Sequence, residues 1–139
     1  MRFAGRIALV VALAVAGVGH FVRADEFLAQ VPLWMPAAEA VVAVSGVIEI
    51  ALAVALLTAP ERWRGWVGWI TAIFFIAIFP GNLWQFIDGR DAFGLDSDAA
   101  RFVRLLFQPV LVVWALWATA ALPGRAARNP RTHSLADDR

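Results

Sequence analysis

Four polar side chains interrupt the apolar stretches of this sequence: His20, Glu49, Asn82 and Gln108. Their types suit one kind of chemistry. Imidazole and carboxamide N–H groups donate hydrogen bonds to carbonyl oxygens, and a carboxyl group exchanges protons at a tuned pKa. We therefore predict a polar site for a small molecule, with Glu49 as the proton-exchanging residue.

Three more polar residues share helix faces with these four and are predicted to support the site: Ser45, Gln85 and Arg104. They stand three or four residues away from Glu49, Asn82 and Gln108, a spacing that places side chains on one face of a helix. Polar groups inside a membrane are costly, so these faces are expected to turn inward. The sequence therefore predicts a polar pocket between helices.

The charge of Glu49 is the central question for this pocket. A carboxylate far from water is either paired or protonated. Candidate partners are His20 and Arg104, together with the amides of Asn82 and Gln108. The neighbouring Gly46 predicts that another helix approaches closely at this point.

A purely structural interpretation stays open for several of these residues. Buried amides in membrane bundles also act only as hydrogen-bonded links between helices, and Asn82, Gln85 and Gln108 fit that role. His20 also fits an anchor at the membrane interface. The chain contains no cysteine, which excludes disulfides and thiolate chemistry, and His20 with Glu49 would supply too few ligands to predict a metal.

Four apolar runs must position these side chains. Hydrophobic residues make up 61% of the 139 residues and charged residues 17%, against about 45–50% and about 25% in soluble domains. A bilayer core about 30 Å thick is crossed by about 20 helical residues. The predicted fold class is therefore an all-α integral membrane four-helix bundle within residues 1–122. Its predicted spans are about 3–22, 38–58, 66–87 and 102–122.

The first run has a second interpretation as a secretory signal peptide. Arg2 and Arg6 precede an apolar stretch, and Ala14 and Ala16 resemble a cleavage site. We favour a retained helix, because the run continues past that site to Val22.

The arginines predict the orientation of the bundle. Eight of the twelve basic residues fall at the N-terminus, between the second and third spans, and in the tail, whereas the other side holds four. The positive-inside rule then places both termini in the cytoplasm. The arginine-rich tail, 123–139, is predicted to be disordered, and segment 23–37 is either an interfacial piece or an ordinary apolar loop.

Several short motifs resemble the DoxX family of small bacterial membrane proteins. They are GVGHF at 17–21, PLWMP at 32–36, SGVIE at 45–49, FPGN at 79–82 and RFVRLLFQPVLVVWALW at 101–117. The resemblance covers nearly all of 3–122 and implies four transmembrane helices in a bacterial plasma (inner) membrane. It also implies a link to thiosulfate:quinone oxidoreductase and to oxidative-stress partners such as superoxide dismutase and a sulfurtransferase.

Three functions remain open at this point. The leading one is a redox-associated membrane subunit that binds quinone. The second is a non-catalytic scaffold that anchors soluble oxidative-stress or sulfur-metabolism proteins on the cytoplasmic side. The third is a small transporter or lipid-modulating protein. A homo-oligomer is compatible with each of them, and the low charge content argues against a nucleic-acid partner.

Overall fold

The computed structural model describes residues 1–121, and all regular secondary structure within them is helical. The helices are α1 (Arg2–Val22), α2 (Ala24–Leu28), α3 (Ala38–Thr58), α4 (Glu61–Ile87) and α5 (Asp98–Ala118). All except the short α2 are long and apolar enough to cross a membrane. The prediction of four such helices is confirmed, and the predicted disordered tail lies outside the described residues.

The last two helices begin before the apolar runs that predicted them, at Glu61 and Asp98. Ser97 caps α5, because its Oγ accepts a hydrogen bond from the backbone N–H of Ala100 at 3.3 Å. The same helix ends at Ala118, earlier than its predicted span. The reason is physical: a helix begins where its first N–H groups are satisfied, whereas an apolar run measures only hydropathy.

Consecutive long helices form two pairs, in which α1 packs on α3 and α4 packs on α5. The pairs meet where α1 contacts α5 and where α3 contacts α4, whereas the described parts of α1 and α4 do not touch. These two helices therefore face each other diagonally across the bundle. We call the end with segments 23–37 and 88–97 the connection end. The opposite end, with residue 1 and the short α3–α4 turn, is the terminal end.

The middle of the bundle is apolar. Its core residues come from all four long helices: Leu9, Leu13, Leu52, Ala53, Leu56, Ala72, Phe75, Ala115 and Leu116. Large apolar side chains also cover the outer faces, where Val15, Val47, Ile73 and Val113 are more than half exposed. Helices that are apolar on all sides are typical of a bundle in contact with lipid. Buried polar residues adjoin this core, and two of them, Glu49 and Gln108, lie near the midpoints of α3 and α5.

Candidate functional site

Two glycines let α1 and α3 approach closely. A methyl group added at Gly46 would lie 2.7 Å from Cβ of His20 and 3.0 Å from the carbonyl oxygen of Gly17. Real side chains avoid such distances, so both positions require glycine at this helix spacing. The contact brings His20 on α1 beside Glu49 on α3, one turn further along each helix.

His20 and Glu49 form a buried acid–base pair, with exposed fractions of 8% and 5%. The Nδ1 atom of His20 lies 3.3 Å from Oε2 of Glu49 and 2.9 Å from the carbonyl oxygen of Ala16. A carbonyl oxygen only accepts hydrogen bonds, so the Nδ1 proton is directed at Ala16. Oε2 of Glu49 is therefore within ion-pair distance of His20, and apart from that contact it has no hydrogen-bond partner.

An aromatic stack covers the imidazole at the connection end. The ring of Phe27, on α2, stacks on His20 with the centroids 3.7 Å apart. Phe93 meets Phe27 edge-on at 4.8 Å, and the guanidinium of Arg104 lies 4.7 Å from the centre of the Phe93 ring. The stack thus links α5 to the His20–Glu49 pair through Phe27 in segment 23–37 and Phe93 in segment 88–97.

Polar contacts hold this stack in place. The backbone N–H of Phe93 donates to the carboxylate of Glu26, on α2. Arg101 of α5 is buried and binds Asp91 at 2.7 Å and Asp98 at 2.8 Å. We call α2 together with residues 88–97 the cover, because these segments close the connection end above His20.

A second polar pair joins α4 to α5. The Nδ2 group of Asn82 donates to Oε1 of Gln108 at 2.6 Å, and Nε2 of Gln108 donates to the carbonyl oxygen of Phe75 at 2.6 Å. Both side chains are buried, and neither contributes to the buried atoms without a partner. We call them the amide pair; the hydrogen bond between them is that of a structural link between helices.

The supporting residues fall at three separate places. Gln85 is fully buried, and its Nε2 donates to the carbonyl oxygen of Arg90 at 3.2 Å, which closes the turn after α4. Arg104 belongs to the aromatic stack, and Ser45 is partly buried on α3. Within residues 1–121, no side-chain hydrogen bond joins the His20–Glu49 pair to the amide pair. The side-chain contacts of the four main candidate residues therefore fall into two pairs.

Two open depressions, of about 570 and 500 Å³, flank α2 at the connection end. Asp25 and Asp91 line both of them, whereas His20 and Glu49 line neither. The His20–Glu49 pair is therefore closed off beneath Phe27. Among the described residues, no group of three or more histidine, aspartate or glutamate side chains could hold a metal ion.

Phe27, Phe93 and Glu26 belong to the site but were not predicted to do so from the sequence. The small side chain of Gly19 is the one sequence feature that indicates a neighbour at this place. A methyl group at Gly19 would lie 3.3 Å from the Phe27 ring. The role of Phe93 depends on a left-handed backbone, with φ 56°, which sequence pattern does not predict for phenylalanine.

A family model described as a domain of unknown function, DUF8561, matches residues 9–119. The match spans most of the chain and includes parts of all four long helices, so the chain belongs to this family. No curated protein and no solved structure matches the chain.

Proposed function

We propose that this member of the DUF8561 family is a multi-pass protein of a bacterial plasma membrane that binds a small lipophilic molecule at His20 and Glu49. A quinone is the candidate ligand. The observation that carries the proposal is the buried Oε2 of Glu49, which has no hydrogen-bond partner.

The four long helices support membrane insertion. They contain 21 to 27 residues, which corresponds to about 31–40 Å, and their outer faces are apolar. The arginine distribution supports an orientation with both termini in the cytoplasm. The connection end, with the cover and the His20–Glu49 pair beneath it, then belongs to the outer half of the bundle.

A ligand explains the unpartnered carboxyl oxygen better than a structural link does. A buried acceptor without a donor costs about 1–3 kcal/mol, which a hydrogen bond from a bound molecule would recover. The amide pair shows the alternative, since Asn82 donates to Gln108 and Gln108 donates to the carbonyl oxygen of Phe75. A bound molecule that donates a hydrogen bond to Oε2 of Glu49 would satisfy this oxygen.

Quinones suit this position because they change their hydrogen-bonding groups with oxidation state. The oxidised form carries carbonyl oxygens that accept from a protonated Glu49, and the reduced form carries hydroxyl groups that donate to an ionised Glu49. His20 stands beside the same oxygen to hold or pass a proton. The chain has no cysteine, so electrons would come from a partner protein.

The cover gives this chemistry a dry environment. Phe27 lies on His20 and separates the pair from the depressions at the connection end. Excluding water strengthens electrostatic interactions within such a site. A ligand would enter either from the lipid side or when α2 moves away. The resemblance to the DoxX family supports the redox context of the proposal.

The test compares the quinone content of purified variants. Wild-type protein, Glu49→Gln and the control Glu39→Gln are extracted from membranes, and quinone is quantified by mass spectrometry. Glu39 is an exposed acid in the first turn of α3, at the same end of the bundle, so its variant makes the same chemical change outside the site. We expect stoichiometric quinone in the wild type and control, and little in Glu49→Gln. Equal quinone in all three proteins, or none in the wild type, would refute the proposal.

A further inference from the structure

At the terminal end of the bundle, the buried Nε atom of Arg6 has no hydrogen-bond partner among the described residues. Only 8% of this residue is exposed, although it stands in the second turn of α1. It precedes Leu9 and Leu13 by three and seven residues, and both leucines belong to the core. Arg6 therefore lies on the inward face of α1, at the opposite end from His20.

Arg64 occupies the corresponding position on α4. It precedes Gly68 and Thr71, both buried, by four and seven residues, so it shares the inward face of that helix. Arg6 lies four residues into α1 and Arg64 three residues into α4, which places each about 5–6 Å from its helix start. Both arginines therefore stand on inward helix faces at similar depth, and the Arg64 side chain is 29% exposed.

Within residues 1–121, the charges of both arginines are only weakly compensated. The Nε atoms of Arg6 and Arg64 are buried without a hydrogen-bond partner. Arg64 lies 3.6 Å from Glu61, whose side chain is 91% exposed, so that ion pair is screened by solvent. The guanidinium carbon of Arg6 lies 5.6 Å from the centre of the Phe3 ring.

We propose that Arg6 and Arg64 together bind a phosphate-type anion at the terminal end of the bundle. Guanidinium groups bind phosphate oxygens through paired, charge-assisted hydrogen bonds. The N-termini of α1 and α4 both lie at this end, and their dipoles favour negative charge there. The anion is either the phosphate of a lipid headgroup or free inorganic phosphate. This inference does not depend on the proposed quinone site.

The test uses the full chain in maltoside micelles, whose headgroups carry no phosphate, and two probes. Phosphatidylglycerol is added as the anionic lipid, and its retention is measured by native mass spectrometry. Inorganic phosphate is added separately, and its binding is measured by calorimetry. The variants are Arg6→Gln and Arg64→Gln, with Arg62→Gln as the matched control, because Arg62 is exposed in the same helical turn.

We expect each inward-facing variant to weaken binding of at least one probe about tenfold, since it removes charge-assisted hydrogen bonds. The control should change binding less than about twofold. Retention of phosphatidylglycerol without a response to phosphate identifies a lipid headgroup, and the reverse result identifies free phosphate. Equal binding in Arg6→Gln, Arg64→Gln and Arg62→Gln would overturn the proposal, as would a wild type that binds neither probe.

A further variant keeps the test decisive if Arg6→Gln does not fold. Arg6→Lys retains the positive charge but loses the planar guanidinium, and it should weaken binding less than removal of the charge does. Wild-type protein also allows direct competition, in which phosphate should displace bound phosphatidylglycerol. Binding that is the same in Arg6→Lys and Arg64→Gln as in the wild type would reject the site.

Discussion

The His20–Glu49 pair and the amide pair resemble each other in position and differ in hydrogen bonding. Each joins two consecutive long helices, and Glu49 and Gln108 lie about 15–17 Å along their helices from the connection end. All four side chains are buried. Only the pair on α1 and α3 contains an atom without a partner, the Oε2 of Glu49.

The difference follows from the numbers of donors and acceptors. A carboxamide both donates and accepts, so Gln108 accepts from Asn82 and donates to the carbonyl oxygen of Phe75. An ionised carboxylate only accepts, and the Nδ1 proton of His20 is directed at Ala16. Burial is therefore common to the two pairs, and the unused acceptor at Glu49 is what distinguishes them.

The largest effect is expected from Gly46→Ala, which alters the support of the His20–Glu49 pair. The new methyl group would collide with His20 and the Gly17 carbonyl, so the two helices must separate. We expect a loss of about 1–3 kcal/mol in the free energy of unfolding, measured by denaturant titration in micelles. Gly65→Ala is the control, because its methyl group meets only Ala121, at 3.7 Å. Similar losses in both variants would show that the crossing is not tightly packed.

The second-largest loss in the free energy of unfolding is expected from a change in the amide pair. Gln108→Met keeps the side-chain length but leaves Asn82 and the Phe75 carbonyl without their partner. We expect a loss of about 1–2 kcal/mol in the free energy of unfolding, with quinone content unchanged. The double variant with Asn82→Leu should lose less than the sum of the two single variants. A loss of quinone without a loss of stability would show instead that the amide pair contributes to ligand binding.

A smaller effect is expected from the cover. Phe93→Leu removes the edge contact with Phe27 and the cation–π contact with Arg104. We expect a loss of about 1 kcal/mol, together with faster amide hydrogen exchange in α2. Phe107→Leu, at an exposed position on α5, is the control for loss of an aromatic ring. Unchanged exchange in α2 would show that Phe93 does not hold the cover.

The smallest stability effect, and the sharpest contrast, is expected from Glu49→Met. Replacing an unpartnered buried acceptor by an apolar group of similar shape is nearly neutral or stabilising. We expect the free energy of unfolding to change by less than about 0.5 kcal/mol or to rise, while bound quinone is lost. A loss of stability as large as that of Gln108→Met would make Glu49 a structural residue and remove the contrast between the pairs.

Sequence alone predicted the four long helices and the inward direction of the main polar residues. Apolar length and helical spacing are local properties, so they located Glu49, Asn82 and Gln108 on buried faces. The grouping into pairs was not predictable in this way, because a helix face does not specify which neighbouring helix it meets. The small side chain of Gly46 was the exception, since it indicated a close helix approach.

Charged residues show where the sequence interpretation was incomplete. Counting arginines by position assigned Arg6 and Arg101 to the interfaces, yet both are buried. Arg6 shares the helical face of Leu9 and Leu13, so its burial was available from spacing. The burial of Arg101 depends on the path of segment 88–97, whose Asp91 turns back to α5. Such loop paths are set by tertiary contacts.

The pairing of consecutive helices has a consequence for the synthesis of the chain. Residues 1–58 contain both helices and both side chains of the His20–Glu49 pair, and residues 61–118 contain those of the amide pair. Chains emerge from the ribosome N-terminus first and fold in that order. We therefore expect the first helical hairpin to assemble before the second is made. The side chains of His20 and Glu49 would then be in place before segment 88–97, which completes the cover, is synthesised.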